Sequence, residues 1–549
     1  MPLQKNQVLT LQVERLSSDG SGVAHSPEGE TVFIPGAAPG DEARVRIVKD
    51  CKRYAFGILD EVLTPSPDRI PVDCAVAGPC GGCSLRHLDY AAELRAKQEN
   101  VADAFARIGG LDVPVLPIVG SPEIDRYRNK VQFPVGTDKA GRPCIGFYAG
   151  RTHRIVPCPD CRLQPGVLNE IGNTLCAFFA EKGIHPYNEE TGKGLVRHIF
   201  LRRGAHSGQI MVCLVCTRAK LPSAEELCTR LKEAFPDIVT ILLNVNAKNT
   251  NVILGSETHT LYGQGYIEDT LCGVPVQLGP LSFYQVNTLA AEQLYGIAAE
   301  YAQLTPDDLL LDLYCGMGTI GLSMADHCRE LVGVEIVPEA IESAKANAAR
   351  MGAAVSAKSR FFCADAGQAA AQLAAEGLHP DVVMLDPPRK GCDEATLSAV
   401  VRMAPRRVVY VSCNPATAAR DAAWLEQNGY HAEKVQPVDL FPRTKHCETV
   451  VLLSKGKVDS KKIRVEFSLE DMDMSEFQDG ATYPQIKEYV LEHTGLKVSN
   501  LYISQIKRKC GIEVGKNYNL PKSEDSRQPQ CPPEKEKAIR EAFNYFGMI

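Results

Sequence analysis

The chain has 549 residues, of which 44% are hydrophobic and 23% are charged, with a formal net charge of -7. These values are typical of a globular protein of roughly three to four domains, and they exclude disordered, collagen-like and bulk-cationic nucleic-acid-binding classes. No uninterrupted apolar run reaches the ~18 residues that a membrane-spanning helix needs. The N-terminus, MPLQKNQVLTLQVERL, alternates in polarity instead of forming a secretion signal. We therefore expect a cytoplasmic protein that does not associate with membranes.

Residues 1–65 are predicted to form a small β-barrel. Short alternating runs, separated by Gly, Pro and Asp, read VLTLQVERL, TVFIPG, DEARVRIVKD and YAFGILDEVL. The third of these strands and the turn after it concentrate basic residues ahead of two aromatic ones: Arg44, Arg46, Lys49, Lys52, Arg53, Tyr54 and Phe56. Small barrels bind oligonucleotides through such mixed surfaces, but a solvated polar strand face accounts for the cluster equally well.

Residues 66–280 are predicted to form a mixed α+β domain that is mostly β. A Pro-rich linker, SPDRIP, leads into it, and residues 90–108 have helical periodicity. Several apolar runs are strand candidates: VQFPVG, IGFYAG, RHIFLRRG, QIMVCLVC, VTILLNVNA and NTNVILG.

The most specific signal in this domain is a cysteine cluster. The motif Cys74-x5-Cys80-Gly-Gly-Cys83 is followed about 75 residues later by Cys158-Pro-Asp-Cys161. Disulfides are not expected in a reducing compartment, and four thiolates at this spacing could hold zinc or an iron-sulfur cluster. The spacing alone slightly favours zinc.

The other cysteines are expected to pack as small apolar side chains. Cys213 and Cys216 lie three residues apart in a predicted strand, so their side chains should point to opposite faces. Single cysteines within apolar stretches are expected to be buried: Cys176, Cys272, Cys328 and Cys363.

From residue 281 to residue 455 the pattern changes to α/β. Buried-strand runs alternate with Ala-rich helical segments: LLLDLYCGMG, ELVGVEIV, DVVMLDPP, RRVVYVSCNP and ETVVLLS. Gly316-Met-Gly318-Thr-Ile-Gly321 follows the first run as G-x-G-x-x-G, and Glu335 lies 23 positions after Asp312. This arrangement suits both a nicotinamide dinucleotide and S-adenosylmethionine, because each has a ribose that an acidic residue can hold.

Candidate catalytic residues follow the later strands. Ligands of open parallel sheets bind outside the carboxyl ends of the strands, so Asp365, Asp386 and Cys413 should converge on one crevice. The prolines in Asp-Pro-Pro-Arg389 and Ser-Cys-Asn-Pro cannot continue a central strand and favour rigid turns there. Glu448 begins the last strand, a position where a carboxylate is usually solvated.

Six motifs occur in order in this half: SFYQVN (282–287), DLYCGMGT (312–319), VGVE (332–335), LDPPRKG (385–391), VSCNP (411–415) and CETVVLL (447–453). Together they resemble the RNA 5-methyluridine methyltransferases of the 23S rRNA (uracil-5-) type, which use S-adenosylmethionine. The resemblance covers residues 281–454. The barrel resembles the TRAM domain of these enzymes, and YRNKVQFPV (127–135) resembles their RNA-contacting region.

The resemblance implies a Rossmann-like methyltransferase domain over residues 281–455 and specific site residues. The implied S-adenosylmethionine contacts are Gln285, Tyr314, Thr319, Glu335, Asp365 and Asp386. Thr319 and Tyr314 stand where the family commonly has Asn and Phe. The implied nucleophile is Cys413 and the implied base is Glu448. The family's [4Fe-4S] cluster reverses the preference for zinc and implies four ligands: Cys74, Cys80, Cys83 and Cys161, with Cys158 as the rival for the fourth position.

The chemistry of uracil agrees with these roles. A thiolate that adds to C6 activates C5 to take a methyl group, and a carboxylate then removes the C5 proton. We expect positive charge, with Arg389 as a candidate, to lower the pKa of Cys413. The uridine must be unstacked, so single-stranded or flipped RNA is the expected partner of this chain, which we expect to be monomeric.

Three alternatives remain. One keeps the chemistry and changes the substrate from 23S rRNA to tRNA. Another is a non-catalytic iron-sulfur RNA-binding protein, which the presence of both Cys413 and Glu448 disfavours. The third is a nicotinamide oxidoreductase, in which DPPR and SCNP have no obvious role.

Residues 465–549 are predicted to be a separate small module beyond the Lys-rich linker SKGKVDSKKIR. YPQIKEYVLEHTG has helical spacing and ends at a glycine C-cap. LKVSNLYISQIKRKCGI predicts a second helix with a basic end, Lys507, Arg508 and Lys509, and EKEKAIREAFNYFGMI a closing amphipathic helix. The pair resembles a helix-turn-helix, but the nearly balanced charge supports RNA contact and protein docking about equally.

Overall fold

The computed structural model describes residues 3–150, 152–248, 252–456, 483–494, 496, 498–510 and 531–545. The chain divides into two compact units, Met1–Val458 and Asp459–Ile549, and each is described by itself. None of the described helices combines the length and apolar character needed to cross a bilayer. The finer domain limits at residues 65, 280 and 455 stay predictions.

The predicted barrel is present and closes in the order β1-β2-β3-β5-β4. Its strands are β1 (Val8–Leu16), β2 (Ser21–His25), β3 (Thr31–Pro35), β4 (Glu42–Asp50) and β5 (Tyr54–Thr64). Apolar side chains at alternate positions, such as Val32, Ile34 and Val45, fill its interior. The basic cluster therefore lies on the fourth strand and not the third. The sequence missed β2 because four of its five residues are buried, so polarity does not alternate along it.

The middle of the first unit is built on a seven-stranded sheet in the order β12-β11-β10-β9-β6-β7-β8, with a separate hairpin, β13-β14. The strands are β6 (Lys130–Thr137), β7 (Pro143–Tyr148), β8 (Ile155–Pro157), β9 (Val196–Arg203), β10 (Ile210–Cys216), β11 (Ile238–Val245), β12 (Glu257–Tyr262), β13 (Ile267–Leu271) and β14 (Val274–Leu278). The helices are α1 (Tyr90–Asp103), extended by a π-helical turn to Ile108, α2 (Gly166–Glu181) and α3 (Ala224–Ala234).

Two predictions from the sequence concern this region, one about a pair of cysteines and one about a strand. Cys213 and Cys216 are both buried and belong to different core clusters, which confirms that they are packing residues on opposite faces. The strand predicted for NTNVILG is wrong where the structure describes it, from Val252 onward. The Asn246 side-chain amide donates to the carbonyls of Val252 and Ile253, at 2.6 and 3.0 Å, and so occupies acceptors that a strand would use.

The α/β half has a second seven-stranded sheet, in the order β17-β16-β15-β18-β19-β21-β20. Five parallel strands are followed by an antiparallel pair: β15 (Leu309–Leu313), β16 (Glu330–Glu335), β17 (Ser359–Cys363), β18 (Val382–Leu385), β19 (Arg407–Ser412), β20 (Tyr430–Val438) and β21 (Glu448–Lys455). The helices are α4 (Thr288–Ala302), α5 (Thr319–Ser323), α6 (Pro338–Arg350), α7 (Ala353–Lys358), α8 (Ala366–Ala375), α9 (Glu394–Met403) and α10 (Pro415–Gln427).

The five strands predicted from apolar runs in this half are confirmed, and the two edge strands were missed. In β20 the apolar residues are interrupted by polar ones. In β17 the apolar run is short, residues 361–363, and none of the residues is buried, because an edge strand is covered less than a central one. For the same reason Cys363, predicted to be buried, is exposed. Cys176 and Cys328 are buried as predicted, whereas Cys272 is half-buried.

The second unit contains three described helices, α11 (Tyr483–Thr494), α12 (Asn500–Lys509) and α13 (Pro533–Tyr545). They share an apolar core formed by Ile486, Val490, Ile503, Ile506, Ile539 and Phe543. The two predicted helices and the closing helix on the same core are confirmed. The predicted C-cap, Gly495, and the linker beyond residue 456 lie outside the described residues.

Candidate active site

The end of β19 and the beginning of β21 bring the two predicted catalytic residues together. These strands are antiparallel, and Ser412 pairs with Thr449. Cys413 directly follows the first strand and Glu448 begins the second, so both lie at the same end of the sheet, where the parallel strands have their carboxyl ends. Asp386 follows the neighbouring strand β18 at that end of the sheet. The sequence could not show this meeting, because it depends on β21 inserting between β19 and β20.

Glu448 is buried, with only 5% of its surface exposed. Burial, with a smaller contribution from Asp386, raises its pKa to about 8, although Arg389 opposes both. Burial also raises the pKa of Asp386 to about 7. The solvated carboxylate usual at a strand start is therefore not found here, and Glu448 can accept a proton close to neutral pH.

Cys413 is half-buried beside Arg389, but its pKa differs from the expectation. Burial and the Glu448 carboxylate raise the thiol pKa above its ordinary value, and the nearby Arg389 offsets them only in part. The prediction of a lowered pKa is thus wrong for the protein without RNA. The Asn414 side-chain amide donates to the Arg389 carbonyl at 3.0 Å, which fixes the turn that carries this arginine.

The glycine loop after β15 is fixed by its backbone conformation and by two buried or half-buried carboxylates. Gly316 and Gly318 have φ values of 55° and 79°, which only glycine adopts without strain. The Glu335 carboxylate accepts from the Gly316 N–H at 3.2 Å and from the Val337 N–H at 3.0 Å. Asp312 accepts from the Gly321 N–H at 3.0 Å, and burial raises its pKa to about 8. Glu335 thus stands beside the loop, as the ribose-holding role requires.

Of the other predicted cofactor contacts, two belong to this loop and the helix after it, and a third precedes α8. Tyr314 lies in the loop with φ of 65°, and its hydroxyl is 3.3 Å from Thr396 Oγ1. Thr319 begins α5, buried, 3.2 Å from the Tyr295 hydroxyl. Asp365 caps α8 by accepting from the Gly367 and Gln368 N–H groups.

The strand order places Asp365 and Asp386 on opposite sides of the glycine loop. Asp365 follows the edge strand β17, and β16 and β15 lie between it and β18. Gln285 is half-buried, and its backbone carbonyl accepts from the Asn129 amide at 2.7 Å. This bond joins the SFYQVN and YRNKVQFPV motifs.

Tyr295 lies beside the candidate site and was not singled out from the sequence. It is buried on α4, and Asp386 and Asp312 help raise the pKa of its hydroxyl far above the usual range, although burial is the larger cause. In the sequence it is one apolar position of an amphipathic stretch, and nothing local marks it as a neighbour of the site.

A cavity of about 280 Å³ in the central region is lined by five cysteines: Cys74, Cys80, Cys83, Cys158 and Cys161. The structure thus brings together all four predicted ligands and the rival Cys158. The neighbouring Cys158 thiol lowers the pKa of Cys161 to about 7 against the effect of burial, and the backbone N–H groups of Leu163 and Gln164 act in the same direction as Cys158. Among the residues that the structure describes, no three metal-binding side chains are grouped closely enough to hold a single ion.

Comparison with known proteins agrees with this architecture. The family model of the tRNA (Uracil-5-)-methyltransferases matches residues 207–456, and the TRAM domain model matches residues 2–59. An RNA methyltransferase of Halalkalibacterium halodurans is 44% identical over 453 residues, which are 82% of this chain and 98% of that protein. An RNA methyltransferase of Clostridium tetani is 41% identical over 454 residues, covering 83% and 98% of the two chains.

A solved structure shares most of the fold. The tRNA (uracil-54, C5)-methyltransferase of Pyrococcus abyssi, in complex with S-adenosyl-L-homocysteine, superposes with a TM-score of 0.65 and 27% identity. The match covers 81% of this chain and all of that one. The adjacent cysteine and glutamate, the glycine loop and the extent of these matches lead to one conclusion: the chain is an enzyme of the RNA (uracil-5-)-methyltransferase family, with an N-terminal TRAM domain.

Proposed function

We propose that this enzyme transfers a methyl group from S-adenosylmethionine to C5 of a uridine in 23S rRNA, through a covalent adduct on Cys413. The observation that carries the proposal is the placement of Cys413 and Glu448 at one end of the sheet, with Asp386 beside them. A thiol next to a buried carboxylate provides the nucleophile and the base that this reaction needs.

The proposed reaction has three steps on these side chains. The Cys413 thiolate adds to uracil C6, and the resulting enolate carbon C5 takes the methyl group from the sulfonium, which leaves as S-adenosylhomocysteine. Glu448 then removes the C5 proton. The electrons of that C–H bond re-form the C5–C6 double bond and expel the Cys413 thiolate. Arg389, close to both side chains, stabilises the anionic thiolate and carboxylate.

Six residues are proposed to hold S-adenosylmethionine around the glycine loop: Gln285, Tyr314, Thr319, Glu335, Asp365 and Asp386. The positive φ values of Gly316 and Gly318 let the backbone approach the ligand, and Glu335 is positioned to hold ribose hydroxyls. The Pyrococcus abyssi enzyme was solved in complex with S-adenosyl-L-homocysteine, which supports S-adenosylmethionine as the methyl donor of this chain.

Two variants test the chemistry. Cys413→Ala is expected to abolish methyl transfer and leave S-adenosylmethionine affinity nearly intact, because the thiolate acts on the base and not on the cofactor. Glu448→Gln is expected to trap a covalent RNA adduct, visible on a denaturing gel, because elimination stalls without proton removal. Retained turnover in both variants would refute the roles assigned to Cys413 and Glu448.

The choice of 23S rRNA over tRNA follows the resemblance in the motifs, whereas the Pyrococcus abyssi enzyme of the matched solved structure is a tRNA methyltransferase. Mass mapping of 5-methyluridine in both RNAs from a deletion strain separates them. We expect the loss of 5-methyluridine from 23S rRNA, restored by the wild-type gene. Loss from tRNA alone would change the substrate and keep the chemistry.

We further propose that Cys74, Cys80, Cys83 and Cys161 hold a [4Fe-4S] cluster. A cluster takes one thiolate on each of four irons, so its ligands stand farther apart than those of a single ion. Five thiols around a cavity of about 280 Å³ fit that requirement. The backbone N–H groups directed at Cys161 favour it over Cys158, because a ligating thiolate is stabilised by such donors.

Iron analysis tests this proposal. Anaerobically purified protein should be brown and carry about four irons per chain. Cys161→Ala should lose the cluster and Cys158→Ala should keep it. Stoichiometric zinc without iron, in protein that was never exposed to air, would contradict the assignment.

A further inference from the structure

A buried charge network fixes the loop that leads into Glu448. Lys97 on α1 is only 1% exposed. Its ammonium donates to Glu93 Oε1 and to Asp439 Oδ1, both at 2.8 Å, and to the Phe441 carbonyl at 3.2 Å. Asp439 directly follows β20, so the bonds from Lys97 connect α1 to the loop between β20 and β21.

Arg443, in the same loop, has an unfavourable backbone conformation. Its φ is 69°, a left-handed value that is unfavourable for a residue other than glycine. Its N–H donates to Glu93 Oε1 at 2.7 Å, its guanidinium donates to the Leu88 carbonyl at 3.0 Å, and its carbonyl accepts from the Leu85 N–H at 3.1 Å. These contacts determine the conformation of a residue that would otherwise relax.

Further hydrogen bonds hold the loop on other sides. The Tyr90 hydroxyl donates to Asp439 Oδ2 at 2.9 Å and accepts from the Ser121 N–H at 2.7 Å. The Asn287 amide donates to the Leu440 carbonyl at 3.1 Å. The residues that hold this loop therefore come from segments far away in sequence, and all of them converge on the few residues before Glu448.

Stability alone does not account for such a network. Removing charges from water is costly, and a buried ion pair is often matched or exceeded in stability by apolar residues of similar volume. A buried pair is best justified where one conformation must be selected. Val438 pairs with Glu448 across the hairpin, so the loop closes directly onto the proposed base.

We propose that Lys97 and Arg443 are positioning residues for Glu448: they fix the loop 439–447 so that the carboxylate meets the C5 proton. Cys413 does not depend on them, because it is carried by β19 and by the turn into α10. The network thus serves the elimination step and leaves thiolate addition and methyl transfer unaffected. This inference rests on the proposed covalent mechanism.

The test is to measure covalent adduct and turnover in Lys97→Met. We expect turnover to fall by about tenfold or more, while the RNA adduct accumulates in the presence of S-adenosylmethionine as it does in Glu448→Gln. The affinity for S-adenosylmethionine should stay within about twofold. A general loss of structure would reduce adduct and turnover together, so the two readouts separate positioning from folding.

Arg406→Met is the matched control. Arg406 forms a bidentate ion pair with Asp308, at 2.6 and 2.7 Å, at the opposite end of the strands of the same sheet. It should show no adduct accumulation. If Lys97→Met does not fold, Arg443→Lys supplies the same readout, because it keeps the charge and loses the planar guanidinium that reaches Leu88.

The outcomes distinguish this inference from the mechanism on which it rests. If Glu448→Gln forms no adduct, the proposed mechanism fails. If Glu448→Gln forms an adduct, while the folded network variants turn over at the wild-type rate or lose adduct and turnover in parallel, the positioning role is overturned.

Discussion

At the scale of single residues, the site is defined by carboxyl groups that burial keeps near their protonation midpoint. Burial raises the pKa of Asp312 and of Glu448 to about 8 and that of Asp386 to about 7. The three groups stand close enough for Asp386 to raise the pKa of both others. Such perturbed groups cluster at functional sites, and no feature of the local sequence distinguishes them from ordinary acidic residues.

The pH dependence of catalysis follows from these shifts. Glu448 must be ionised to accept the C5 proton, and a pKa of about 8 leaves only about one carboxylate in ten ionised at pH 7. The raised pKa of Cys413 acts in the same direction, since the thiolate is the nucleophile. We therefore expect kcat/KM to rise with pH from 6.5 through 8 and to level off only above that. A profile measured with short RNA substrates that peaks near pH 6 would contradict these assignments.

At the scale of elements, the predicted basic cluster is divided between the barrel strand β4 and the turn that follows it. Arg44 bonds Glu61 at 2.6 Å and Arg46 bonds Asp60 at 2.8 Å across β4 and β5, which accounts for two members of the predicted basic cluster. Within the described part of the chain, no hydrogen bond or ion pair of the Lys52 and Arg53 side chains is found, and Tyr54 beside them is 41% exposed. The turn between the two strands is therefore the part of the cluster suited to RNA.

We predict that the double substitution Lys52→Ala and Arg53→Ala weakens RNA binding and reduces the salt dependence of the affinity. Each phosphate contact that is lost should lower the slope of log K against log salt by about one. Arg44→Ala is the matched control, since its charge is already neutralised by Glu61. Filter binding at several salt concentrations measures both. An equal slope for the double variant and the wild type would show that the turn does not contact RNA phosphates and is only a solvated polar surface.

At the scale of the whole molecule, the second unit is an independent core and its role is open to test. Its three described helices share apolar contacts with one another, and one member of the basic end of α12 is already paired, since Lys509 bonds Glu536 at 2.6 Å. Such partial neutralisation reduces the charge available for RNA. The module was the part of the chain whose function the sequence left divided between RNA contact and protein docking.

Truncation after residue 457 separates these roles. If the module contacts RNA, the shortened enzyme should bind RNA more weakly and with a smaller salt slope, because fewer counterions are released. Its affinity for S-adenosylmethionine should not change, since all six proposed contacts lie in the first unit. Unchanged RNA affinity and slope would leave protein docking as the role of the module.

The sequence by itself determined the enzyme family, the barrel and the central strands of the second sheet, and it singled out Cys413 and Glu448 as the candidate catalytic pair. Each of these is written locally, in alternating or continuous apolar runs and in short motifs whose order can be compared. It failed where a structural cause is not local. The edge strand β17 carries only a short apolar run and no buried residue, and β2 is buried on both faces.

Only the tertiary structure decided how the site works. Cys413 and Glu448 meet because β21 runs antiparallel beside β19, and the burial of Glu448 comes from packing that its own sequence neighbours do not reveal. Glu93 and Lys97, four residues apart, look like an exposed helical ion pair, yet both are buried against Asp439, which follows more than 300 residues later. Long-range packing determines which side chains are buried, and burial shifts the pKa values of the candidate catalytic groups.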